Sequence, residues 1–205
     1  MLFKTEEIKK PVIKKVKSTA AYSIKKKIRI EKKIGMENEK VSQVIGEIKK
    51  NYFLCFVTAG EWSQHNLINH ILDNIGNASI VIVSWSVSNP ALDYMLNIIQ
   101  RGKIDSIKML LDWRVKIRCT NLKACLKLNN VEVRFSNCHA KMLMVKNDEY
   151  SITVFSSANL TNNPRLESGV LFENKDVYDF NIRWINEEFN NANPFEIKKR
   201  KKDVN

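Results

Sequence analysis

Apolar positions along this chain recur with two different spacings, and the two take turns. "YFLCFVT" (52–58), "SIVIVSW" (79–85), "SIKMLLDW" (106–113), "VEVRFS" (131–136), "HAKMLMV" (139–145), "SITVFS" (151–156) and "SGVLFEN" (168–174) are short apolar or alternating runs bounded by turn residues, the pattern of strands. Between them, "SQHNLINHILDNI" (63–75), "NPALDYMLNIIQRG" (89–102), "TNLKACLKL" (120–128) and "VYDFNIRWINEEFNNA" (177–192) follow the helical period. Pro90 falls in the first turn of the second helix and Gly102 just past its end. Upstream, Val41, Val44, Ile45 and Ile48 predict an amphipathic helix over 37–50. A polar turn at 146–150 joins two of the strands. Strands separated by helices, with no internal repeat, predict one α/β layered domain whose central sheet is mixed and mostly parallel, flanked by helices.

Charge divides the chain differently. Residues 1–50 carry 15 Lys/Arg against 6 Asp/Glu, net +9, and residues 196–205 carry 5 against 2, net +3. Residues 51–195 carry 14 of each. The expected organisation is therefore a basic N-terminal arm with a short helix (1–50), a neutral catalytic-sized domain (51–195) and a basic C-terminal tail (196–205). Lysine-rich arms on a neutral body suit a polyanion held without sequence preference.

Other readings add limits. No apolar run approaches the roughly 18 residues of a membrane span, and the first residues do not form a secretion signal, so a cytoplasmic location is expected. Cys55, Cys119, Cys125 and Cys138 lack C-x-x-C spacing and are expected to be free thiols. His65 and His70 are five apart and do not share a helix face, which argues against a metal pair there. No cofactor is expected.

The candidate chemistry lies in "CHAKMLMVKNDEYSITVFSSANLT" (138–161). On a strand, His139 and Lys141 point to one face. A neutral imidazole can attack phosphorus, and an ammonium can neutralise a non-bridging phosphate oxygen. Ser156, Ser157 and Asn159 follow in a turn and can donate to phosphate oxygens. A carboxylate at Glu167 can fix a histidine tautomer.

These residues, "HAK…SSANLTNNPRLE", resemble the catalytic signature of the phospholipase D superfamily, in particular its small single-motif nuclease-like members. The resemblance covers roughly residues 52–190. It implies His139 as the nucleophile that forms a phosphohistidine, Lys141 and Asn159 as holders of the phosphate oxygens, Ser157 as a support, and Glu167 as the histidine's acidic partner. Two positions depart from the pattern. Lys146 stands where the motif has its aspartate, the nearest acid being Asp148, and Ser156 stands where it has a glycine.

Enzymes of this type use two histidines, one to attack and one to protonate the leaving oxygen. The chain has one His-x-Lys, so the resemblance implies a homodimer with a shared active site. The reading reached from sequence is a metal-independent phosphodiesterase acting on nucleic acid, a DNA endonuclease of low sequence specificity. The alternatives are a phospholipase or phosphatidyltransferase at an acidic membrane surface, and an inactive nucleic-acid-binding protein.

Overall fold

A nine-stranded sheet organises the chain in the computed structural model, which describes residues 29–118, 122, 128, 130–162 and 165–194. Residues 1–28 of the expected arm, most of the helix expected over 120–128, Cys119, Cys125 and the tail beyond Pro194 lie outside the described residues. The strands are β1 (Arg29–Ile34), β2 (Tyr52–Thr58), β3 (Ala78–Ser84), β4 (Ile104–Asp112), β5 (Val131–Ser136), β6 (Met142–Lys146), β7 (Ser151–Ser156), β8 (Glu167–Glu173) and β9 (Asn193–Pro194). Helices α1 (Val41–Val44), α2 (Gln64–Ile75), α3 (Asn89–Gln100), α4 (Val115–Arg118) and α5 (Lys175–Asn191) connect or cover them.

The strand order is β1-β2-β8-β7-β6-β3-β4-β5-β9. Six strands run one way, and β6, β8 and β9 run against them, so the sheet is mixed, as the sequence implies. The reversed strands arise from a meander. β6, β7 and β8 are antiparallel neighbours and are inserted between β2 and β3, which α2 connects across the gap. Helices α3 and α4 lie on the parallel crossovers from β3 to β4 and from β4 to β5.

Alternation along the strands divides the side chains between two layers. One face carries Leu54, Ile82, Leu143 and Val154, all fully buried against Ile68 and Ile71 of α2 and Leu92 and Met95 of α3. The other face carries Val83, Leu110, Met142 and Met144 under Tyr178, Ile185 and Phe189 of α5. Each such aliphatic side chain contributes about 1.5–3 kcal/mol by leaving water. Helix α5 starts on Asn174, whose side chain accepts from the backbone N–H groups of Asp176 and Val177.

Three expectations need correction. The helix expected over 37–50 is only the four residues of α1. Gly46 adopts φ +71°, which leaves the right-handed helix, although Val44, Ile45 and Ile48 are buried as their spacing implied. Residues 29–34 of the expected arm form β1, an edge strand paired parallel to β2. The strand expected over 139–145 begins at Met142. Its neighbours β3 and β7 end at Ser84 and Ser156, so residues 137–141 have no flanking ladder to join.

Candidate active site

The strand directions bring many ends to one edge of the sheet. Strands β2, β3, β4 and β7 finish there at Thr58, Ser84, Asp112 and Ser156, while β6 and β8 begin there at Met142 and Glu167. All five site residues expected from sequence lie along this edge.

His139 and Lys141 sit in the extended segment that enters β6. The alternation anticipated for them holds although the segment is outside the ladder. Cys138 and Ala140 pack toward the α5 layer, and His139 and Lys141 meet Trp85, just past β3. The His139 ring stands edge-on to the indole, with centroids 5.3 Å apart and planes at 60°. Lys141 Nζ is 5.8 Å from the same ring and donates to the His139 carbonyl at 3.0 Å. His139 is exposed and Lys141 half-buried, so both are open to a ligand.

Ser156 closes β7, and Ser157 and Asn159 follow it. The Ser156 N–H donates to the Lys141 carbonyl at 3.3 Å, which ties this turn to the His139 segment. Ser156 Oγ accepts from the Ala158 N–H at 3.0 Å, a local turn that serine closes where the motif has glycine. Ser157 Oγ donates to the Glu167 carboxylate and accepts from the Ser168 N–H at 3.1 Å. Glu167 is held in turn by its own N–H, which donates to Thr58 Oγ1 at 3.2 Å. Ser84 Oγ donates to the Ser86 carbonyl at 2.6 Å, accepts from the Leu160 N–H at 3.2 Å, and lies 3.5 Å from Asn159 Oδ1.

The expected residues thus form two adjoining groups: His139 with Lys141 on Trp85, and Ser157 with Glu167. Asn159 lies at the end of β3 beside them. Among the described residues Glu167 hydrogen-bonds Ser157, and no hydrogen bond joins it to the His139 ring. Lys146 lies at the opposite end of β6. It is exposed, with Nζ 5.4 Å from the Tyr178 ring, and lies five residue steps from Lys141, roughly 16 Å along an extended chain.

Sequence reasoning missed three neighbours of these residues. Trp85 is the surface on which His139 and Lys141 meet. Asp112, fully buried at the end of β4, accepts from Arg114 Nε at 2.6 Å and Nη2 at 3.0 Å. The Cys138 N–H also favours the charged form of the Asp112 carboxyl, which places Asp112 beside the residue before His139. The hydrogen bonds from Arg114 hold the Asp112 carboxyl below its ordinary range despite burial. Arg114 lies over Trp85, 5.0 Å from the ring. The available signal was an aspartate closing an otherwise apolar strand, in "MLLDWR".

Gly169 keeps this edge compact. A Cβ there would stand 2.4 Å from Phe56 Cζ and 2.9 Å from the Phe155 carbonyl oxygen, so the Phe56 ring packs over the β8 backbone only because residue 169 has no side chain.

This mixed sheet, with the β6–β8 meander between β2 and β3, has the fold of solved phospholipase D family members. Two of the solved structures that share it are small proteins of similar extent. Nuc from Salmonella typhimurium, a phospholipase D family member, superposes with a TM-score of 0.55 at 19% identity over 70% of this chain and 97% of Nuc. NucT from Helicobacter pylori gives 0.54 at 13% identity over 70% of this chain and 99% of NucT. No family model and no curated protein matches the chain in sequence. No helix among the described residues is long and apolar enough to cross a membrane.

Proposed function

We propose that this protein is a phosphodiesterase that hydrolyses nucleic acid, a DNA endonuclease of low sequence specificity that acts through a phosphohistidine and needs no metal. The observation that carries the reading is the meeting of His139 and Lys141 on one indole, beside the turn that holds Ser157 and Asn159.

The roles follow from the chemistry of each group. A ring nitrogen of His139 attacks phosphorus, forming a P–N bond as the P–O bond to one sugar oxygen breaks. A second histidine gives its proton to that oxygen. It then takes a proton from water, which attacks phosphorus and breaks the P–N bond. Lys141 and the Asn159 amide hold the non-bridging oxygens, where charge builds in the transition state. Ser157 and Glu167 support the pocket through the hydrogen bond between them.

The second histidine belongs to another copy of the chain, because this sequence has one His-x-Lys. An apolar groove of about 490 Å³ supports that assembly. It lies on the face of β1, β2, β8 and β7 that carries Cys55, Val57, Phe155 and Val170, and runs up to Ser157 and Ser168. Basic residues of the N-terminal region, +9 over residues 1–50, supply the nonspecific hold on phosphates.

Incubation of the purified protein with supercoiled plasmid in EDTA tests the reading. Nicking is the expected result. A mobility shift without nicking would make the protein a binder, and neither effect would turn attention to phospholipid substrates.

A further inference from the structure

The ends of β3 and β4 carry a second cluster next to the candidate nucleophile, with no role in the chemistry described above. Asp112 grips Arg114 through Nε and Nη2, so the guanidinium is fixed edge-on by a carboxylate that is itself fully buried. The pair leaves the Nη1 side of the fork unused. The guanidinium lies 5.0 Å from the Trp85 ring and 5.9 Å from the Trp113 ring. Trp113 is 52% exposed, so much of its indole is within reach of a ligand.

Trp85 is common to both clusters. His139, Lys141 Nζ and Arg114 lie 5.3, 5.8 and 5.0 Å from its ring, so the Arg114–Trp113 ledge starts one indole away from the phosphorus-attacking group. A strand of nucleic acid with a phosphate at His139 therefore places a neighbouring nucleotide on this ledge.

We propose that Trp113 and Arg114 form a subsite for the nucleotide flanking the scissile phosphate, with the base stacked on Trp113 and the next phosphate met by Arg114 Nη1. The nucleotide on the ledge is unpaired, in a single strand or in a locally opened stretch of supercoiled DNA, because a base in a closed duplex is already stacked on both faces and its edges are paired. The inference rests on the nuclease reading above and narrows its substrate class. Arginine suits the position. Its planar fork can stack on an indole and still present donors in a fixed direction, which the ammonium of lysine cannot do.

Binding of a fluorescent oligothymidine strand tests the proposal, with the full-length chain in the His139→Ala background at fixed salt. The same strand is also prepared with one abasic site, and a duplex of equal length is measured in parallel. Trp113→Ala should weaken the intact strand about five- to a hundredfold, the range of one base–aromatic stack, and leave the duplex nearly unchanged. The abasic site should weaken binding by the parent protein but not by Trp113→Ala, since the contact is then already gone. Trp113→Phe should keep most of the preference for the intact strand. Equal affinity of Trp113→Ala and parent for the intact strand, or equal weakening toward strand and duplex, would overturn the subsite while leaving the nuclease reading in place. Failure of the parent protein to bind either nucleic acid would overturn both.

Discussion

Ser157 hands its hydroxyl hydrogen to the Glu167 carboxylate across the gap between the end of β7 and the start of β8. The serine is thereby fixed from two sides, because the Ser168 N–H also reaches its oxygen. A hydrogen bond to a charged group contributes about 1.5–3 kcal/mol, so losing it at the site should slow cleavage roughly ten- to a hundredfold. Ser157→Ala and Glu167→Gln should each fall in that range. The double variant should be little worse than the weaker single one, since both remove the same link. Plasmid nicking rates check this, and fully additive losses would mean that the two residues act separately.

His139→Ala should lower cleavage by at least about 10⁴-fold, as expected when the attacking group itself is removed. The ring is exposed and contributes little to the core, so the stability change should stay within about 0.5 kcal/mol. Nicking assays and thermal melts separate the two effects. Residual cleavage near the parent rate would remove His139 from the mechanism.

Lys146→Asp restores the motif's acidic residue at a position about 16 Å of extended chain away from Lys141. An exposed side chain there reaches the Tyr178 ring rather than the phosphate pocket. The expected change in nicking rate is less than about threefold, and in stability within about 0.5 kcal/mol. A gain of orders of magnitude would show that the lysine impairs the natural protein.

Gly169→Ala should destabilise by about 1–3 kcal/mol, the cost of forcing a methyl into a packed site. The added carbon would meet the Phe56 ring and the Phe155 carbonyl, so one of them must move. Urea titration measures the loss. An unchanged midpoint would mean that the Phe56 ring swings aside freely.

Stability should fall as the pH drops below the ordinary histidine range. His65 is buried against Tyr94, and burial lowers its pKa in the folded chain. The unfolded chain then binds the extra proton first, so acidification through about pH 6.5 favours unfolding. Above that range both states are neutral and the effect vanishes. Melting temperatures at successive pH values, compared with His65→Phe, check the sign. The variant should show a shallower decline, and an identical profile would assign the sensitivity elsewhere.

Several elements were legible because local pattern and tertiary role agree. The bounds read for β2, β5 and β7 coincide with those observed, each strand being closed by turn residues. β1 escaped notice because "RIEKKI" is mostly charged, and its Ile30 and Ile34 remain 62% and 79% exposed at a sheet edge. The five residues proposed for the site could be named from sequence because they fall within 139–167, where their spacing can be read along the chain. Trp85 and Arg114 could not. They converge only because β3 and β4 lie side by side in register, with Ser84 opposite Leu111.

The meander also bears on how the chain folds. Its hairpins join residues close in sequence, and such pairs form in microseconds. Joining β8 to β2 instead brings together residues 109 apart, as in the Glu167–Thr58 bond, and long closures of this kind retard folding. The meander carrying the proposed site residues can therefore zip up early, with the rim of β8 bare until Tyr52–Thr58 arrives. An uncapped rim is a template for foreign strands, so a chain stripped of β2 should clump rather than remain dispersed.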